Sequence, residues 1–506
     1  MAPPYRPAMG LLWMIAAFAG PATATQPATS EATPVAAATQ VSDAMALDGF
    51  VRSVLKLNRT VTTRRSEQAL ADTAVERARG AFQTQATVTT SAGRSQQAST
   101  AEESVTRGQG VYERESTDLS ATVSRLLASG TKVEGKLTVS RFDTSAPLSR
   151  GAEFRTFYGV TVTHPLARDG GYDVTMARVE VARIEAQGAK AAVLDTEGSV
   201  AAEAVFAYWD LVLAQHRAEM TQDKVRMGER LLAQAQSLSR QGRMPESQVW
   251  DVESDLIRYR AAVSEARVAR AEAVARVAGL LGRAVEAPGP GIAAIDPLVV
   301  EPRATPGAAD ALRRARESRA DLRQRQAALD REQIQLNYAL NQSRPKVDVV
   351  ASYGFNGGPS RTQAFNPDLL RNYPSWSVGL QMAMPLGENV QARADIQAAR
   401  LRVEEAQRQL TALDAAIAND IATGSTMMSA AAERWSLWRE VAQREERQVT
   451  LERQKLEAGR ADLREVLFRE ERAIDARMAV VEQQVAWSKA DALVEAAQGT
   501  LLARFP

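Results

Sequence analysis

Hydrophobic positions recur every three or four residues over most of the chain, within stretches rich in Ala, Glu, Arg, Gln and Leu. This spacing and this composition are typical of long amphipathic helices. Proline costs about 3 kcal/mol inside a helix, and none interrupts these stretches. The pattern predicts helices at 43–80, 173–240, 246–283, 308–342, 390–457 and 462–502.

Helix 390–457 carries a coiled-coil-like stripe, whose members step by three or four residues. They are Leu410, Leu413, Ile417, Ile421, Gly424, Met428, Ala431, Trp435, Trp438 and Ala442. We expect Trp435 and Trp438 to pack in the core rather than to stack on a ligand. A helix of this length spans about 100 Å, so each long helix should lie beside two shorter helices stacked end to end.

Between the helices the hydrophobic period changes from 3.6 to 2, which predicts strands. In 376–384 one face holds Trp, Val, Leu and Met, and the other holds Ser, Gly, Gln and Ala. Further alternating segments are 119–125, 132–141, 154–164 and 347–355. Segments of about ten residues separated by Gly-, Asn- and Pro-rich loops are typical of outer-membrane strands. A water-soluble sheet with one buried face is the alternative.

The chain repeats internally. Gly159 to Pro165 matches Gly379 to Pro385 at an offset of 220, and Gly242 matches Gly459 at 217. The pattern therefore predicts a first repeat at 43–283, a Pro-rich linker at 284–307 and a second repeat at 308–506. The first has strands at about 82–165 and a helical hairpin at 173–283 with its tip at 241–245. The second has strands at about 346–385 and a hairpin at 390–502 with its tip at 458–462. Both tip glycines suit a helix C-terminus, where a positive φ is needed.

The N-terminus reads as a targeting segment. Residues 11–19 are a short apolar run and 22–24 form a small-residue cleavage site, so we expect a signal peptide at 1–24. An N-terminal anchor is the alternative, but the run is too short to span a bilayer. An Ala-, Thr- and Pro-rich linker at 25–42 follows.

Composition narrows the possible functions. The 62 basic and 61 acidic residues leave a net charge of +1, which argues against a nucleic-acid-binding protein. The chain has no cysteine and only two histidines, His164 and His216, so it offers no thiolate nucleophile and no multi-histidine metal centre. It also lacks a Gly-rich phosphate loop. We therefore expect no enzyme, no cofactor and no metal site.

A membrane location has a physical consequence. Each half offers only a few strands, and an open sheet would leave unpaired backbone groups in lipid. Several chains would then have to contribute to one barrel, with the long helices projecting away from the membrane.

These features together resemble the TolC-like outer membrane channel family over about residues 43–502. The resemblance rests on the duplicated halves, the strand exits Gly159…Pro165 and Gly379…Pro385, and the tips Gly242-Arg243 and Gly459-Arg460. Ala207-Tyr208-Trp209-Asp210-Leu211 also looks like the family's pattern.

The resemblance implies a mainly α fold with membrane β. Two tandem repeats of strands plus a long helical hairpin would form a homotrimer sharing one β-barrel in outer-membrane lipid and one periplasmic α-barrel. The tube would meet a periplasmic adaptor (a membrane fusion protein) and an inner-membrane ABC or proton-driven transporter, without nucleic acid. It would be a passive exit duct for efflux or type I secretion. A periplasmic coiled-coil scaffold or adaptor without a barrel is the alternative function.

The resemblance also implies a gate at the hairpin tips. The family's acidic gate position corresponds to Glu465, and a second family acid falls on Phe468, which would act by steric closure and dewetting. Gln248 and Asp462 are further candidates. For both acids the alternative is a solvated helix start. Arg243 and Arg460 would pair with these acids, contact the adaptor or simply favour a helix end.

Two features remain open at the level of sequence. Leu119–Arg125 and Lys132–Arg141 read as an extra hairpin, because the family's usual protomer has four strands. Either the barrel is larger or this pair forms a loop outside it. The missing cysteine rules out lipidation of the bacterial lipoprotein type and leans slightly towards a secretion or multipurpose channel, but the substrate stays open.

Overall fold

The computed structural model describes residues 44–108, 110–144, 151–284, 292–298, 301–358, 360–365, 373–458, 460 and 462–506. The expected signal peptide and the linker at 25–42 lie outside these ranges. The helices are α1 (Leu47–Leu57), α2 (Arg59–Arg79), α3 (Ala101–Arg107), α4 (Tyr172–Arg240), α5 (Glu246–Leu280), α6 (Ala308–Ser318), α7 (Ala320–Gln342), α8 (Arg361–Phe365), α9 (Val390–Glu457) and α10 (Leu463–Ala497). The strands are β1 (Ala44–Met45), β2 (Gln85–Ala98), β3 (Val111–Leu126), β4 (Lys132–Thr144), β5 (Glu153–Pro165), β6 (Ala293–Ala294), β7 (Lys346–Gly357) and β8 (Pro374–Ala383).

The long helices confirm the sequence prediction closely. Helix α9 has the predicted bounds, and α4 begins one residue earlier than predicted. Two shorter helices were predicted as continuous, and this was wrong. Asn58 separates α1 from α2, and Arg319 separates α6 from α7, each with extended backbone at ψ 127°. The Asn58 side chain caps α2 by accepting from the Thr60 amide at 2.9 Å.

The helices of the two halves match in order and in length. Helices α4 and α9 have 69 and 68 residues, and α5 and α10 have 35 each. Gly282 after α5 and Gly499 after α10 stand 217 positions apart, with φ of 69° and 70°. Gly282 lies near the break after Leu57, and Gly499 lies against Arg319. The same helix end therefore meets the same helix break in each half.

The helices pack in a defined order. Towards the tips, α5 packs on α4, α4 on α10 and α10 on α9. Nearer the strands, the order is α2, α4, α7 and α9. Each long helix thus lies beside stacked shorter helices, as predicted from the lengths. In the described parts of the chain, no helix is both long and apolar enough to cross a membrane.

The stripe predicted on α9 is buried at most positions: Ile417, Ile421, Gly424, Met428, Ala431, Trp435 and Ala442. Trp435 packs against Trp487 with ring centroids 6.2 Å apart. The expectation for Trp438 was wrong. This side chain is 39% exposed.

One antiparallel sheet contains six strands in the order β2-β3-β4-β5-β7-β8. The extra hairpin predicted from sequence is β3–β4, and it lies within the sheet between β2 and β5. Strand β2 was not recognised as a separate strand, because Val88 is the one large apolar side chain within it and its alternation is therefore weak. Its partner is β3 along its whole length, from Gln85 opposite Ser124 to Ala98 opposite Val111.

The register sorts the side chains of this sheet onto two faces. One face is apolar across all six strands. It carries Ala86 and Val88, Leu119 and Val123, Leu137 and Val139, Tyr158 and Val160, Val349 and Tyr353, and Trp376, Val378 and Leu380. The other face carries mainly Ser, Thr, Gln and charged residues. The apolar face is exposed in the single chain, where Trp376 is 74% accessible.

Candidate functional site

The first hairpin tip is a helix C-terminus closed by Gly242. This glycine has φ 70°, and its amide donates to the Ser239 carbonyl at 2.9 Å. The Arg243 amide donates to the Leu238 carbonyl at 2.9 Å. This hydrogen bond spans six residues, as in a Schellman motif. Helix α5 begins directly after Pro245. The sequence prediction of a tip at 241–245 with a left-handed Gly242 therefore agrees with the backbone.

The second tip repeats this arrangement at Arg460. Its amide donates to the Lys455 carbonyl at 2.8 Å, over the same six-residue span as Arg243. Gly459 lies outside the described residues. Asp462 has extended backbone and directly precedes α10, and its carbonyl accepts from the Glu465 amide at 3.2 Å.

Glu465 is paired within its own helix. Arg469 Nε donates to Glu465 Oε1 at 2.9 Å, and its guanidinium also lies 3.9 Å from Glu445 on α9. Arg472 contacts Glu445 at 3.5 Å. A shared network of charges thus joins the first turns of α10 to the last turns of α9.

Phe468 is 46% exposed, three residues after Glu465 on α10. The guanidinium carbons of Arg469 and Arg472 lie 5.6 and 5.4 Å from its ring centre, within cation–π range. An exposed aromatic ring therefore lies beside two positive charges near the start of α10.

Arg243 and Arg460 do not pair with the acids that sequence analysis considered. Within the part of the chain that the structure describes, neither side chain makes an ion pair. The two tips are joined instead by Arg464 of α10, whose Nη1 lies 3.7 Å from Asp251 Oδ2 of α5. Gln248 is half-buried on the first turn of α5, and its backbone amide donates to the Pro245 carbonyl at 3.1 Å.

A hydrophobic cluster behind the tips holds the two hairpins together. It combines Val225, Met227, Leu231 and Ala235 of α4, Val249, Val252, Leu256 and Tyr259 of α5, and Leu463, Leu467 and Ile474 of α10. Gly228 lets α4 and α5 approach closely, since a Cβ there would lie 3.2 Å from Leu256 and Tyr259. Burial, together with nearby Glu471, raises the pKa of the Tyr259 phenol. This hydroxyl therefore stays protonated at neutral pH.

The first strand exit is locked by hydrogen bonds. After Pro165, the Leu166 amide donates to Val347 O at 2.7 Å, and the Asp169 amide donates to Asn341 Oδ1 at 2.8 Å. Gly159 lies inside β5, opposite Gly354 of β7, and not at the exit itself. The ring of Phe157 covers this glycine pair, because a Cβ at either position would lie within 2.8 Å of it.

The second strand exit is more open. Gly379 lies within β8 opposite Val350, and Pro385 follows the end of that strand. Met384 and Leu386 on either side of Pro385 are exposed. The first exit is buried at Pro165, so the two sequence-related exits differ in packing.

The Ala207–Leu211 segment of α4 is a structural junction. The buried Tyr208 hydroxyl lies 2.5 Å from Asp296 Oδ2 and 3.0 Å from Met45 O, which ties α4 to the β1–β6 pair. Burial, with Asp296 beside it, raises the pKa of Tyr208. Asp210 pairs with Lys489 of α10 and with Arg276 of α5. Sequence reasoning missed Asp296, because its partners are distant in sequence.

Residues 311–500 match the sequence profile of the family described as Outer membrane efflux protein. The match lies in the second half of the chain, from α6 to just beyond the end of α10. No curated protein sequence matches the chain.

Solved outer-membrane channels have a similar fold. The channel OprN shares 17% identity, with 90% of each chain covered and a TM-score of 0.65. VceC from Vibrio cholerae shares 15% identity over 90% of this chain and 96% of its own, with a TM-score of 0.62. MtrE from Neisseria gonorrhoeae, solved in an open state, shares 15% over 90% and 89%, with a TM-score of 0.60.

Proposed function

We propose that this chain is an outer-membrane efflux channel protein with a periplasmic helical extension. Three copies close into one tube, which serves as the exit duct of a tripartite efflux or type I secretion system. The duct is passive, and an inner-membrane ABC or proton-driven transporter supplies the energy through a periplasmic adaptor. Each copy contributes two tandem repeats, 43–283 and 308–506, joined by the linker 284–307. The observation that carries this proposal is the matched pair of open edges on the helices and on the sheet.

The helical order ends at α5 on one side and at α9 on the other. Both flanks expose apolar side chains, which are Trp250, Ile257 and Val268 on α5 and Leu437, Trp438, Val441 and Leu451 on α9. Trp250 and Ile257 are seven residues apart and lie on one helix face. Exposed apolar stripes on two long helices suit helix–helix contact between copies.

The sheet has its two open edges on the same two sides. Strand β2 follows α2, which stands first in the helical order near the strands, as α5 does towards the tips. Strand β8 leads into α9, which stands last in both orders. One rotation between copies therefore joins α9 to α5 and β8 to β2 together. The exposed apolar sheet face then meets lipid, as outer-membrane strands require. A periplasmic scaffold without a barrel would leave this face in water.

We place the gate at the two tips. Asp462, Glu465, Phe468 and Gln248 lie in the first turns after the tips, where three copies would bring them close to one axis. Carboxylates there would form an acidic ring, and the Phe468 rings would narrow the opening by dewetting. The exposed tip residues Gly242, Arg243 and Arg460 then remain for contact with the adaptor. Gly459 is assigned to the same contact from sequence alone.

The test is export by the intact system. Deleting the gene should abolish export of the system's substrate, and the wild-type chain should restore it. Replacing the exposed Arg243 and Arg460 by Glu should leave the protein in the outer membrane but remove adaptor cross-linking and export. Normal export by this double variant would contradict the assignment of the tips. Loss of a secreted protein or retention of small toxic compounds would tell secretion from efflux.

A further inference from the structure

The structure gives the sheet more strands than the resemblance implies. The family pattern predicts four strands per protomer, whereas this protomer has six in one continuous sheet. The insertion is β3–β4, and its turn contacts the first strand exit. The Gly171 amide donates to Ser129 O at 3.3 Å, and Thr131 Oγ1 lies 2.8 Å from His164 Nδ1. The inserted hairpin is therefore held at both its neighbours and at its turn.

The inserted hairpin also continues the apolar face. Leu137 of β4 lies opposite Ala121 of β3 on one side and opposite Tyr158 of β5 on the other. All three belong to the face on which Trp376 is exposed. A loop lying outside the membrane would have no need to carry an apolar band in register with the membrane strands.

The strands are staggered in the manner of a tilted barrel wall. A line of directly paired residues crosses the sheet from the first residue of β2. It consists of Gln85, Ser124, Glu134, Thr161, Ser352 and Ser377, one from each strand. Ser377 lies six residues before the end of β8 at Ala383. At about 3.3 Å per residue and about 4.8 Å between strands, this stagger over five steps gives a tilt of about 40°. Transmembrane barrels have tilts of about 35–45°.

The two edges are complementary in direction and in pattern. Strand β2 leaves the helical end and β8 returns to it, so β8 of one copy and β2 of the next run antiparallel. If the ends at Ala383 and Gln85 stand level, Met382 lies beside Ala86 and Trp376 beside Ala92, all on the apolar face. Both edge strands are exposed on both faces in the single chain. Their free backbone groups cannot stay unpaired in lipid.

We infer that β8 of each copy pairs with β2 of the next, which closes a barrel of eighteen strands instead of twelve. This inference rests on the proposed trimer. Barrel diameter grows roughly linearly with strand number, so the opening is about half again as wide as that of twelve strands. Its inner face is lined mainly by Ser, Thr, Gln and charged residues. The membrane section of this duct thus suits bulky, water-soluble cargo.

Cysteine cross-linking tests the pairing, and the chain has no native cysteine to interfere. Ser377→Cys on β8 is combined with Ser91→Cys on β2, its neighbour in the inferred register and on the same polar face. A second combination with Thr89→Cys allows for a slip of two residues. Oxidation in isolated outer membranes should convert monomer into disulfide-linked oligomers up to trimer, which a reductant removes. Each single variant should give at most dimers.

Two further combinations serve as a negative control and as a test of the alternative barrel. Ser377→Cys with Ser120→Cys, one strand further in, should not link. Ser377→Cys with Ser140→Cys on β4 tests a barrel from which β2–β3 is excluded. Linkage only in the Ser140 combination, or in none of them while native mass shows a trimer, would overturn the eighteen-strand inference. A monomeric native mass would instead refute the trimer of the proposed function.

Discussion

Arg464 and Asp251 connect the tips of the two hairpins, with 3.7 Å between Nη1 and Oδ2. These residues come from different halves of the chain and meet just beyond the hydrophobic cluster that includes Leu463 and Val249. Both side chains are exposed. Because the cluster already holds the helices together, we expect the ion pair to affect the relative position of the tips rather than the stability of the fold.

We predict that Asp251→Ala changes gating more than stability. An exposed ion pair contributes about 0.2–1 kcal/mol, so the thermal unfolding midpoint should hardly move. The same energy can shift a nearly balanced opening equilibrium up to about fivefold. Planar-bilayer recordings should show a higher open probability. Arg464→Ala should give the same change, and the double variant should add little to it. Independent, additive effects would show that the pair does not act as a unit.

A second prediction concerns Glu465. If three copies bring this carboxylate towards the axis, Glu465→Gln should weaken block by divalent cations, because the ring loses its negative charge. Glu465→Asp keeps the charge and serves as the matched control. Unchanged block in Glu465→Gln would remove this residue from the gate and leave it as the partner of Arg469.

The helix contact at Gly228 gives a stability prediction. Gly228→Val should destabilise the protein by about 1–3 kcal/mol, because the new side chain would press on Leu256 and Tyr259. Gly198 on the same helix has no neighbour within 4 Å of a built Cβ. Gly198→Val should therefore be neutral or slightly stabilising. Equal losses in both variants, measured by thermal unfolding, would mean that backbone propensity rather than packing decides the outcome.

Asp195 on α4 should make stability depend on pH. Burial, and then the nearby Asp321, raises its pKa above the usual value of 3.8. A carboxyl whose folded pKa is raised loses stability when it ionises, so its unfavourable contribution is present above the folded pKa and absent below the unfolded value. Asp195→Asn should thus raise the unfolding midpoint at pH 7, with a gain that fades as the pH falls towards 4. The exposed Asp395→Asn is the control. A gain that does not depend on pH would contradict this cause.

Much of the fold follows from periodicity alone. A proline-free run of strong helix formers predicted the bounds of α9, and the stripe from Ile417 to Ala442 predicted its buried flank. The break at Asn58 was not predicted, since a single cap residue hardly disturbs that pattern. Strand β2 was missed because the apolar residues of this edge strand are mainly alanine, with Val88 as its one large apolar residue, so little alternation can be detected.

The tips show where sequence reasoning stops. The repeat located Gly242 and Arg460 because a left-handed helix end needs glycine at a fixed place. It did not indicate that Asp251 meets Arg464, since this contact depends on how helices from the two halves pack. The Glu465–Arg469 pair was within reach of sequence reasoning, because residues four apart are neighbours on a helix. Trp438 was assigned to the core because its spacing continues the buried stripe, and spacing alone does not show where that stripe becomes exposed.

The most direct test of the account is the native mass of the protein extracted from the outer-membrane fraction in mild detergent. The account predicts an assembly of three mature chains that dissociates to monomer only on heating in SDS. A monomer recovered from the soluble periplasmic fraction would contradict it.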